Sequence, residues 1–433
     1  MSNQQPVGNI QFEYEPPFPA PNAMSQRTIV QALPGGKRYL ADKETAVGVK
    51  YVNVLVTRVL RDGARDTGFN STGWQAEHIE IDSYQASVGL LQQSDGGVIV
   101  SVSNQLSTAA SSLALLRYQE NGELDKNFGN NGKIIHAIPL DVGLSRLVDQ
   151  DQESKAVPGG FGALVPGDNG RFFSLVRNRS GILSRLVSLH PDGQLNLDFG
   201  TDGIVPITHP TRAIRTHGIT VASDGAIMAV GGLEGSVGAF LARYTAEGAL
   251  DQSFGESGFV IFNAKAAGDL ESKVVSIGLT SVAALDGGAA VACGSLGVTS
   301  PAGPISYGLV VCVNSQGAPL TSFNAGKALL FGPPKTQFIK LNKVVVQADG
   351  KIVVGGELNL IDSSILVARF LPDGQADKGF FRSGWTTFKP YKAWHCAIAD
   401  LALDPQGSEI LVTGSGGSNP SVQYQQSIVV QLG

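Results

Sequence analysis

An internal repeat of about 62 residues constrains the fold of this chain more than any other feature of its 433 residues. One recurring block reads LLRYQENGELDKNFGNNGK from Leu115, LARYTAEGALDQSFGESGF from Leu241 and VARFLPDGQADKGFFRSGW from Val367. Weaker copies start at Val56, Leu186 and Val310, and the Phe of the block recurs at positions 69, 128, 199, 254, 323 and 380. A period of this size is typical of architectures in which similar small units stack against one another.

A second block precedes the first one in each unit, as in ITVASDGAIMAVGG from Ile219 and VVVQADGKIVVGGE from Val344. Its turn Gly recurs at positions 36, 96, 170, 225, 287, 350 and 407. Apolar alternation on both sides of an Asp-Gly pair predicts a β-hairpin with a two-residue turn. We assign the two arms of this hairpin as the first and second strands of each unit.

The stretch that ends in Arg-Tyr or Arg-Phe predicts a third strand, and segments such as FVIFNA from Phe259 predict a fourth. A four-stranded antiparallel unit is too small to bury a core alone, so the copies must stack. The 54 glycines agree with many tight turns, because Gly adopts positive φ without strain. We therefore predict an all-β chain: a seven-bladed β-propeller that forms a single domain over residues 1–433, with repeat units from about residue 28.

The last unit ends at IVVQLG and lacks a fourth strand. The N-terminal stretch NIQFEYEPPFPAP is similar to the fourth-strand segment KALLFGPP of the fifth unit. We therefore predict that residues 9–14 form the outer strand of the last blade and close the ring. Six blades plus an N-terminal arm is the alternative, because the first unit is degenerate.

The block L-x-R-Y-x-x-x-G-x-L-D-x-x-F-G-x-x-G resembles the delta-60 repeat family of bacterial β-propeller-like repeats, over nearly the whole chain from about residue 30. The resemblance implies the fold and carries almost no information about activity. Three units depart from the pattern: Asn196 replaces the Asp in unit three, Leu320 and Asn324 stand in unit five, and unit seven stops before the block.

The block also contains an Arg with an acid eight residues later, in the pairs Arg58 and Asp66, Arg117 and Asp125, Arg243 and Asp251, and Arg369 and Asp377. Where the Arg is replaced by Ser188 or Cys312, the acid is replaced by Asn196 or Leu320. Joint loss indicates ion pairs, because removing one partner of a buried pair leaves the other charge uncompensated. We likewise interpret the repeated Phe as a wedge between neighbouring blades.

Composition limits the function classes. A net charge of -5 offers no general attraction for nucleic acid, and no apolar run of about 18 residues predicts a membrane-spanning helix. Three cysteines cannot form a disulfide framework. The start MSNQQPVGNIQFEYE has no basic region followed by an apolar one, so we expect a cytoplasmic protein or export by a route other than Sec. We also expect a monomer.

Catalytic and metal-binding motifs are absent from the sequence. The six histidines show no H-x-x-x-H or H-E-x-x-H spacing, and there is no G-x-S-x-G and no P-loop. The Asp-Gly pairs lack the alternating acids of a calcium loop. We therefore predict no catalytic residue, no metal and no cofactor.

One constellation remains as a candidate ligand site. Positions nine residues before each hairpin Asp are expected around one mouth of the propeller, at Ala86, Arg215, Ile277, Lys340 and His395. With nearby His217, Trp394 and Tyr84 they mix cations and aromatic rings, which suits an anionic or sugar-like ligand. We expect no acids among them. The predicted binding residues are Arg215, His217, Lys340, Trp394, His395 and Tyr84.

The fold and this constellation favour a non-catalytic binding or scaffolding propeller for a protein partner or a glycan. The alternative from another class is a propeller enzyme, a glycan lyase or hydrolase, acting at the channel mouth. Clustered acids or a basic-aromatic site with perturbed pKa values at the mouth would favour the enzyme, whereas a shallow neutral mouth with large exposed loops would favour the binding module.

Overall fold

The computed structural model describes residues 12–13, 24–25, 29–45, 51–80, 86–105, 110–140, 164–178, 181–301, 303–332, 338–359, 363–389, 395–417 and 426–432. The regular structure in these ranges consists of 29 β-strands and five 3-10 helices. All pairings between the strands are antiparallel, and together they make six four-stranded sheets and one five-stranded sheet. The chain is therefore all-β, as predicted.

The strands follow the repeat units in order after β1 (Phe12–Glu13). Sheet 1 contains β2 (Met24–Ser25), β3 (Ile29–Ala32), β4 (Arg38–Thr45), β5 (Tyr51–Val59) and β6 (Trp74–Glu80). Sheet 2 contains β7 (Ala86–Gln92), β8 (Val98–Gln105), β9 (Ala110–Tyr118) and β10 (Lys133–Pro139). Sheet 3 contains β11 (Leu164–Pro166), β12 (Phe172–Arg177), β13 (Ser184–Leu189) and β14 (Ile204–Pro206).

The second half of the chain repeats this pattern. Sheet 4 contains β15 (Ile214–Val221), β16 (Ile227–Leu233), β17 (Ala239–Tyr244) and β18 (Phe259–Phe262). Sheet 5 contains β19 (Val274–Ala284), β20 (Ala290–Val298), β21 (Ile305–Val313) and β22 (Leu329–Phe331). Sheet 6 contains β23 (Ile339–Val346), β24 (Ile352–Leu358), β25 (Ser364–Phe370) and β26 (Trp385–Phe388). Sheet 7 contains β27 (His395–Leu403), β28 (Ile410–Gly417) and β29 (Gln426–Leu432), with β1 as its outer strand.

The N-terminal strand pairs with the C-terminal one. Phe12 lies opposite Val429 and Glu13 opposite Ile428, so β1 takes the outer position of sheet 7 that was predicted for residues 9–14. Residues 9–11 and 14 lie outside the described ranges. Sheet 1 has a fifth strand because both β2 and β3 pair with β4.

The hairpins between first and second strands correct one prediction. In sheet 4 the Ala222 N–H donates to the Ala226 carbonyl oxygen over 2.8 Å, which leaves three residues in the loop instead of two. Gly225 has a φ of 80°, and the Oδ1 atom of Asp224 accepts a hydrogen bond from the Ala226 N–H. A three-residue loop needs positive φ only at its Gly, whereas a type I′ turn needs it at both central residues. The Asp therefore acts as an acceptor within the loop.

The hydrophobic core lies between the sheets. Six clusters of buried apolar side chains are each shared by two sheets that follow one another in the chain, and a seventh joins sheet 7 to sheet 1. That seventh cluster contains Val30, Leu40 and Val59 with Leu411. The first strand of each hairpin, which in sheet 1 is β3, contacts the first strand of the next sheet, and β27 of sheet 7 contacts β3. Stacking supplies the burial that a single sheet lacks.

The repeated Phe is a wedge between sheets, as predicted. Its six copies are each at most 2% exposed: Phe69, Phe128, Phe199, Phe254, Phe323 and Phe380. Four of them pack against a Gly in the turn between the third and fourth strands of the next sheet, where an added Cβ would contact the ring. At Gly122, for example, this Cβ would lie 2.9 Å from Cγ of Phe69. The Gly at this position of the repeat is therefore required by the aromatic ring of the preceding unit.

The Arg and Asp of the repeat form ion pairs. Their N–O distances are 2.7 Å for Arg58 and Asp66, 2.5 Å for Arg117 and Asp125, 3.3 Å for Arg243 and Asp251, and 2.8 Å for Arg369 and Asp377. In sheet 3 the replacements keep a neutral contact, since Asn196 Nδ2 donates to Ser188 Oγ over 3.3 Å. In sheet 5, Cys312 and Leu320 join an apolar cluster instead. The joint changes in the sequence reflect direct contact.

One element was not predicted. The segment Ala264–Lys273, between sheets 4 and 5, is a 3-10 helix interrupted at Gly268. The other four such helices are three-residue turns at Pro34–Gly36, Asp168–Gly170, Asp286–Gly288 and Asn324–Gly326. Among the described ranges, no helix has the length and hydrophobicity needed to cross a membrane.

Candidate binding site

The strand order gives each sheet two different ends. The loops between first and second strands and the turns between third and fourth strands lie at one end, which we call the turn face. The connections from second to third strands, and from each fourth strand to the next sheet, lie at the other end, which we call the loop face. Gly225 and Asp251 belong to the turn face, and Arg215 lies near the loop face at the start of β15.

Polar side chains of the turn face are used to hold the sheets together. Arg58 Nη1 donates to the carbonyl oxygen of Glu120 in sheet 2, and Arg243 Nη1 donates to that of Ser315 in sheet 5 over 2.6 Å. Burial alone would raise the pKa of Asp66, but hydrogen bonds from Lys37 and the Gly68 N–H and the charge of Arg58 hold it below its ordinary value. The turn face is therefore a repeated structural element.

The loop face differs from unit to unit. Its connections between one sheet and the next range from the five residues 81–85 to the 24 residues 140–163. Their sequences share no block comparable to the repeat of the turn face. Variable connections on a regular scaffold are where binding residues are commonly placed.

The predicted site residues lie at the loop-face ends of the first strands. Arg215 is in β15, Lys340 is in β23 and His395 begins β27, where it pairs with Gly417. The side chain of His395 and all of Tyr84 and Trp394 lie outside what the structure describes. Arg215, His217 and Lys340 are the predicted site residues whose side chains are placed.

Bulges in the first strands refine the equivalence between units. The pairing of first and second strands shifts at His217 in β15, Thr280 in β19, Asn342 in β23 and Ala399 in β27. Arg215 and Lys340 each lie two residues before the bulge, so they are equivalent. Ile277 lies three residues before it, and an odd offset turns a side chain to the other face of a strand. Accordingly Ile277 is buried in the apolar cluster between sheets 4 and 5.

The expectation that the mouth lacks acids is wrong. Arg215 donates two hydrogen bonds to the Glu234 carboxylate, one from Nη2 over 2.8 Å and one from Nε over 3.1 Å. Lys340 lies directly opposite Glu357 in the strand pairing, and Glu357 Oε1 also accepts from Asn342 Nδ2 over 3.0 Å. Both carboxylates come from the end of a second strand or the loop just after it, which the counting of first-strand positions did not include.

His217 lies two residues after Arg215 in β15 and is buried. It is 6% exposed, and its Nδ1 atom lies 2.7 Å from the carbonyl oxygen of Leu279 in sheet 5. Burial lowers the pKa of His217 to about 4, and the positive charges of Arg177, Arg215 and Lys340 add to this effect against the hydrogen bond to Leu279. Arg177 of sheet 3 donates a hydrogen bond to the carbonyl oxygen of Thr216 in sheet 4, so these two sheets meet beside His217. With a pKa of about 4, His217 is neutral at pH 7.

Other polar groups of the first strands join one sheet to the next. Thr280 Oγ1 donates to the Leu341 carbonyl oxygen over 2.6 Å. Lys343 Nζ lies 2.9 Å from Asp400 Oδ1, and Asp400 Oδ2 accepts from the Val30 N–H over 3.2 Å. These contacts join the first strands of sheets 5, 6, 7 and 1, so Thr280, Lys343 and Asp400 have a structural role.

The described cysteines are not reactive nucleophiles. Burial raises the pKa of Cys293 to about 12 and also raises that of Cys312, which leaves both as inert thiols. His217 is buried and bonded through Nδ1. Within the described ranges no three His, Cys, Asp or Glu side chains gather as a metal ion would require. The site combines positive charge, which suits binding, with the two acids Glu234 and Glu357 and a histidine of lowered pKa, which are features that favour an enzyme. The placed groups are therefore compatible with both classes.

Comparison with known families supports the architecture. Two segments, residues 222–254 and 347–380, match a β-propeller family described as a domain of unknown function, DUF5122. Each segment runs from a hairpin loop of the turn face to the repeated Phe. The match supports a β-propeller repeat family and leaves the delta-60 assignment as a resemblance. No curated protein matches the chain.

Solved structures similar to the chain have low sequence identity. Sqt1 from Chaetomium thermophilum is 11% identical with a TM-score of 0.46, and 94% of this chain and 95% of that chain are covered. A protein from Lactobacillus plantarum is 11% identical with a TM-score of 0.46, covering 92% and 99%. The β-propeller domain of the Trilobed protease from Pyrococcus furiosus is 8% identical with a TM-score of 0.37, covering 77% and 80%. From its repeated antiparallel sheets and its family match, this chain has a β-propeller fold.

Proposed function

We propose that this protein is a non-catalytic binding propeller whose ligand docks on the loop face. The observation that carries the proposal is the contrast between the two faces. The turn face repeats the same side chains and uses them between sheets, whereas the loop face varies and carries Arg215 and Lys340 at equivalent positions. A surface that is regular throughout stabilises the ring, and a variable surface on that ring provides specificity.

An anionic ligand fits the charge of this surface. Arg215 and Lys340 hold equivalent positions in sheets 4 and 6, and two carboxylates, Glu234 and Glu357, lie beside them. The side chain of Glu234 is 40% exposed, so a carboxylate of the ligand can compete with it for Arg215. The ligand class is therefore an acidic glycan or an acidic segment of a partner protein.

A glycan array combined with a pull-down tests this proposal. We expect the protein to retain acidic glycans or acidic protein segments, and the double variant Arg215→Ala with Lys340→Ala to lose them while keeping its thermal midpoint. Arg171→Ala with Lys351→Ala is the matched control, because these cations pair with Asp168 and Asp349 on the turn face. Equal retention by both double variants would contradict the proposal. Release of cleaved glycan would instead indicate the enzyme.

We also propose that the seven sheets are the blades of one closed ring and one domain. The pairing of β1 with β29, the apolar cluster between sheets 7 and 1, and the contact of β27 with β3 support closure. Closure removes two sheet edges that would otherwise promote aggregation. Deletion of residues 1–20 should lower the thermal midpoint or cause aggregation. A monomeric product with an unchanged midpoint would favour six blades with an N-terminal arm.

A further inference from the structure

Sheets 1 and 2 have longer outer strands than the other sheets. The outer strand of each sheet is its fourth strand, or β1 in sheet 7, and it pairs within the sheet on one side only. β6 and β10 have seven residues each, whereas the outer strands of the other five sheets have two to four. An open edge leaves N–H and C=O groups unpaired, and a long one is a template for another strand. Two such edges therefore lie in neighbouring sheets.

The open edge of β10 carries the backbone groups of Ile135 and Ala137. Lys133 lies opposite Leu116 in the strand pairing, but its N–H and carbonyl oxygen bond to Asn130 over 3.3 and 2.8 Å. Backbone groups of an antiparallel strand alternate between its two sides, so those of Ile135 and Ala137 also point away from β9. Both residues are exposed. The edge therefore offers N–H donors and carbonyl acceptors to an incoming strand.

The edge of β6 is less suited to pairing. β6 contains the acids Glu77 and Glu80, and charged side chains on an outer strand oppose pairing with another chain. Lys133 is the only Lys or Arg of β10, and β10 has no acid. Its Nζ atom lies 2.6 Å from Glu77 Oε2, so its charge is compensated. β10 is therefore the edge that can accept another strand without a charge penalty.

A groove of about 210 Å³ lies beside this edge, between sheets 1 and 2. Its apolar lining includes Ile79, Ala114 and Leu116, which belong to the core cluster that the two sheets share. Ile135 lines the groove as well and is 64% exposed. An apolar cavity of about 150 Å³ accommodates benzene, so this groove has room for one large aliphatic or aromatic side chain.

We propose that β10 binds an extended segment of a partner protein as a fifth strand of sheet 2. The backbone of the segment bonds to Ile135 and Ala137, and one of its apolar side chains fills the groove. The side chain of Ile135 lies on the same face of β10 as that of Lys133, which contacts Glu77 of sheet 1. A side chain of the added strand beside Ile135 therefore points into the groove. Since Lys133 and Glu77 compensate each other, the groove favours an uncharged side chain.

A second copy of this chain fits the same edge less well. Two β10 strands paired about a two-fold axis at His136 would place Ala137 of one copy opposite Ile135 of the other. The methyl group of Ala137 does not fill a groove of about 210 Å³. The segment of a partner protein can place a larger side chain at this position, and this distinguishes it from a second copy.

An array of peptides as long as β10, with threonine at alternate positions and varied residues between them, tests the proposal. We expect the retained peptides to carry a large apolar residue at one varied position. Replacing that residue by serine should weaken binding at least about tenfold in fluorescence anisotropy, because the groove is left unfilled. Methylating the backbone nitrogens of the peptide should weaken it at least as much, because the pairing with β10 is lost. Retention of no peptide would overturn the proposal.

Ala137→Pro tests the edge itself. It removes an N–H that points away from β9, so sheet 2 keeps its own hydrogen bonds, while the affinity for a retained peptide should fall at least about fivefold. Ala76→Pro is the matched control on β6, because the Trp74 carbonyl oxygen two residues earlier accepts from Asn70 Nδ2 over 3.1 Å and so also points outward. Loss of binding in Ala76→Pro alone would move the added strand to β6 and overturn the assignment.

Ile135→Asp tests the groove, and it decides alone if Ala137→Pro does not fold, as judged by circular dichroism. It should weaken peptide binding about fivefold, because it places a charge beside an apolar side chain. Val275→Asp is the control, since Val275 is 51% exposed in β19. An unchanged affinity in Ile135→Asp would overturn the proposal.

Two further measurements separate this surface from the alternatives. The double variant Arg215→Ala with Lys340→Ala should bind the peptide as the wild type does, because this edge is independent of the loop-face ligand. Loss of peptide binding in it would place the peptide on the loop face and contradict the proposal. Analytical ultracentrifugation should show no dimer that depends on this edge. A dimer that is lost in Ala137→Pro would show that a second copy occupies it.

Discussion

The carboxylate of Asp400 accepts a hydrogen bond from the backbone N–H of Val30 over 3.2 Å, although 370 residues separate them. Its other oxygen lies 2.9 Å from Lys343 Nζ. One side chain of sheet 7 therefore connects the first strand of sheet 6 with β3 of sheet 1. Asp400 is 7% exposed, so these contacts form where water does not compete.

Replacing Asp400 by Ala should lower the free energy of unfolding by about 3 kcal/mol, because it leaves a buried N–H and the ammonium of Lys343 without this partner. Asp349→Ala is the control, since Asp349 pairs with Lys351 but its side chain is 53% exposed. Its cost should stay below about 1 kcal/mol. Urea titrations provide the comparison, and equal losses in both variants would show that Asp400 does not connect the sheets.

The Arg and Asp of the repeat should be energetically coupled. Arg369→Ser should cost about 3 kcal/mol, because the remaining Asp377 carboxylate is only 11% exposed. Combining it with Asp377→Asn reproduces the pair found in sheet 3, Ser188 and Asn196, and should cost less than the sum of the single changes by about 1 to 2 kcal/mol. A double-mutant cycle measures the coupling; additive losses would mean that the pair contributes nothing.

Gly122, in the turn between the third and fourth strands of sheet 2, should not tolerate a side chain because it packs against Phe69. Gly122 has a φ of 89°, and an added Cβ would lie 2.6 Å from the Asn70 nitrogen as well as against Phe69. Gly122→Ala should cost about 3 kcal/mol from clash and backbone strain together. Gly35 has a φ of 75° with nothing within 4 Å, so Gly35→Ala carries the strain alone, about 1 kcal/mol. Thermal unfolding should separate the two variants; similar midpoints would contradict the wedge.

Because of His217, the free energy of unfolding should decrease as the pH is lowered from about 6.5 to about 4. The pKa of His217 is lower in the folded chain than in the unfolded one, so over this range the unfolded chain binds more protons and stability decreases as the pH falls. A pKa of about 4 against 6.5 corresponds to at most about 3 kcal/mol. His217→Gln should flatten this part of the profile, while exposed His190→Gln should not. Identical slopes in wild type and His217→Gln would exclude the buried neutral imidazole.

The repeat predicted most of the fold because each unit carries its own strands and turns. The joint changes at Ser188 and Asn196 predicted the Arg and Asp contact, since only direct neighbours vary together in this way. The three-residue loop at Gly225 was missed because the Asp-Gly pair also fits a shorter turn. The helix Ala264–Lys273 was missed because it belongs to a connection that occurs once, and a repeat says nothing about unique segments.

The candidate site was predicted less completely. Counting from the hairpin Asp located Arg215 and Lys340 correctly relative to each other, because both strands bulge at the same place. It could not locate Glu234 and Glu357, which come from a neighbouring strand and its loop through pairing across the sheet. The tautomer of His217 depends on a carbonyl group of the next sheet, and no pattern in the sequence reports such a contact.

Hydrogen exchange of the protein, alone and saturated with an acidic glycan selected on the array, tests the division between the two faces most directly. Strand β15 runs from one face to the other, so its two ends serve as internal controls. We expect slower exchange at residues 214–218 and 339–342 and unchanged exchange at the turn-face residues 222–226 and 347–351. Slower exchange confined to those turn-face residues would contradict this division.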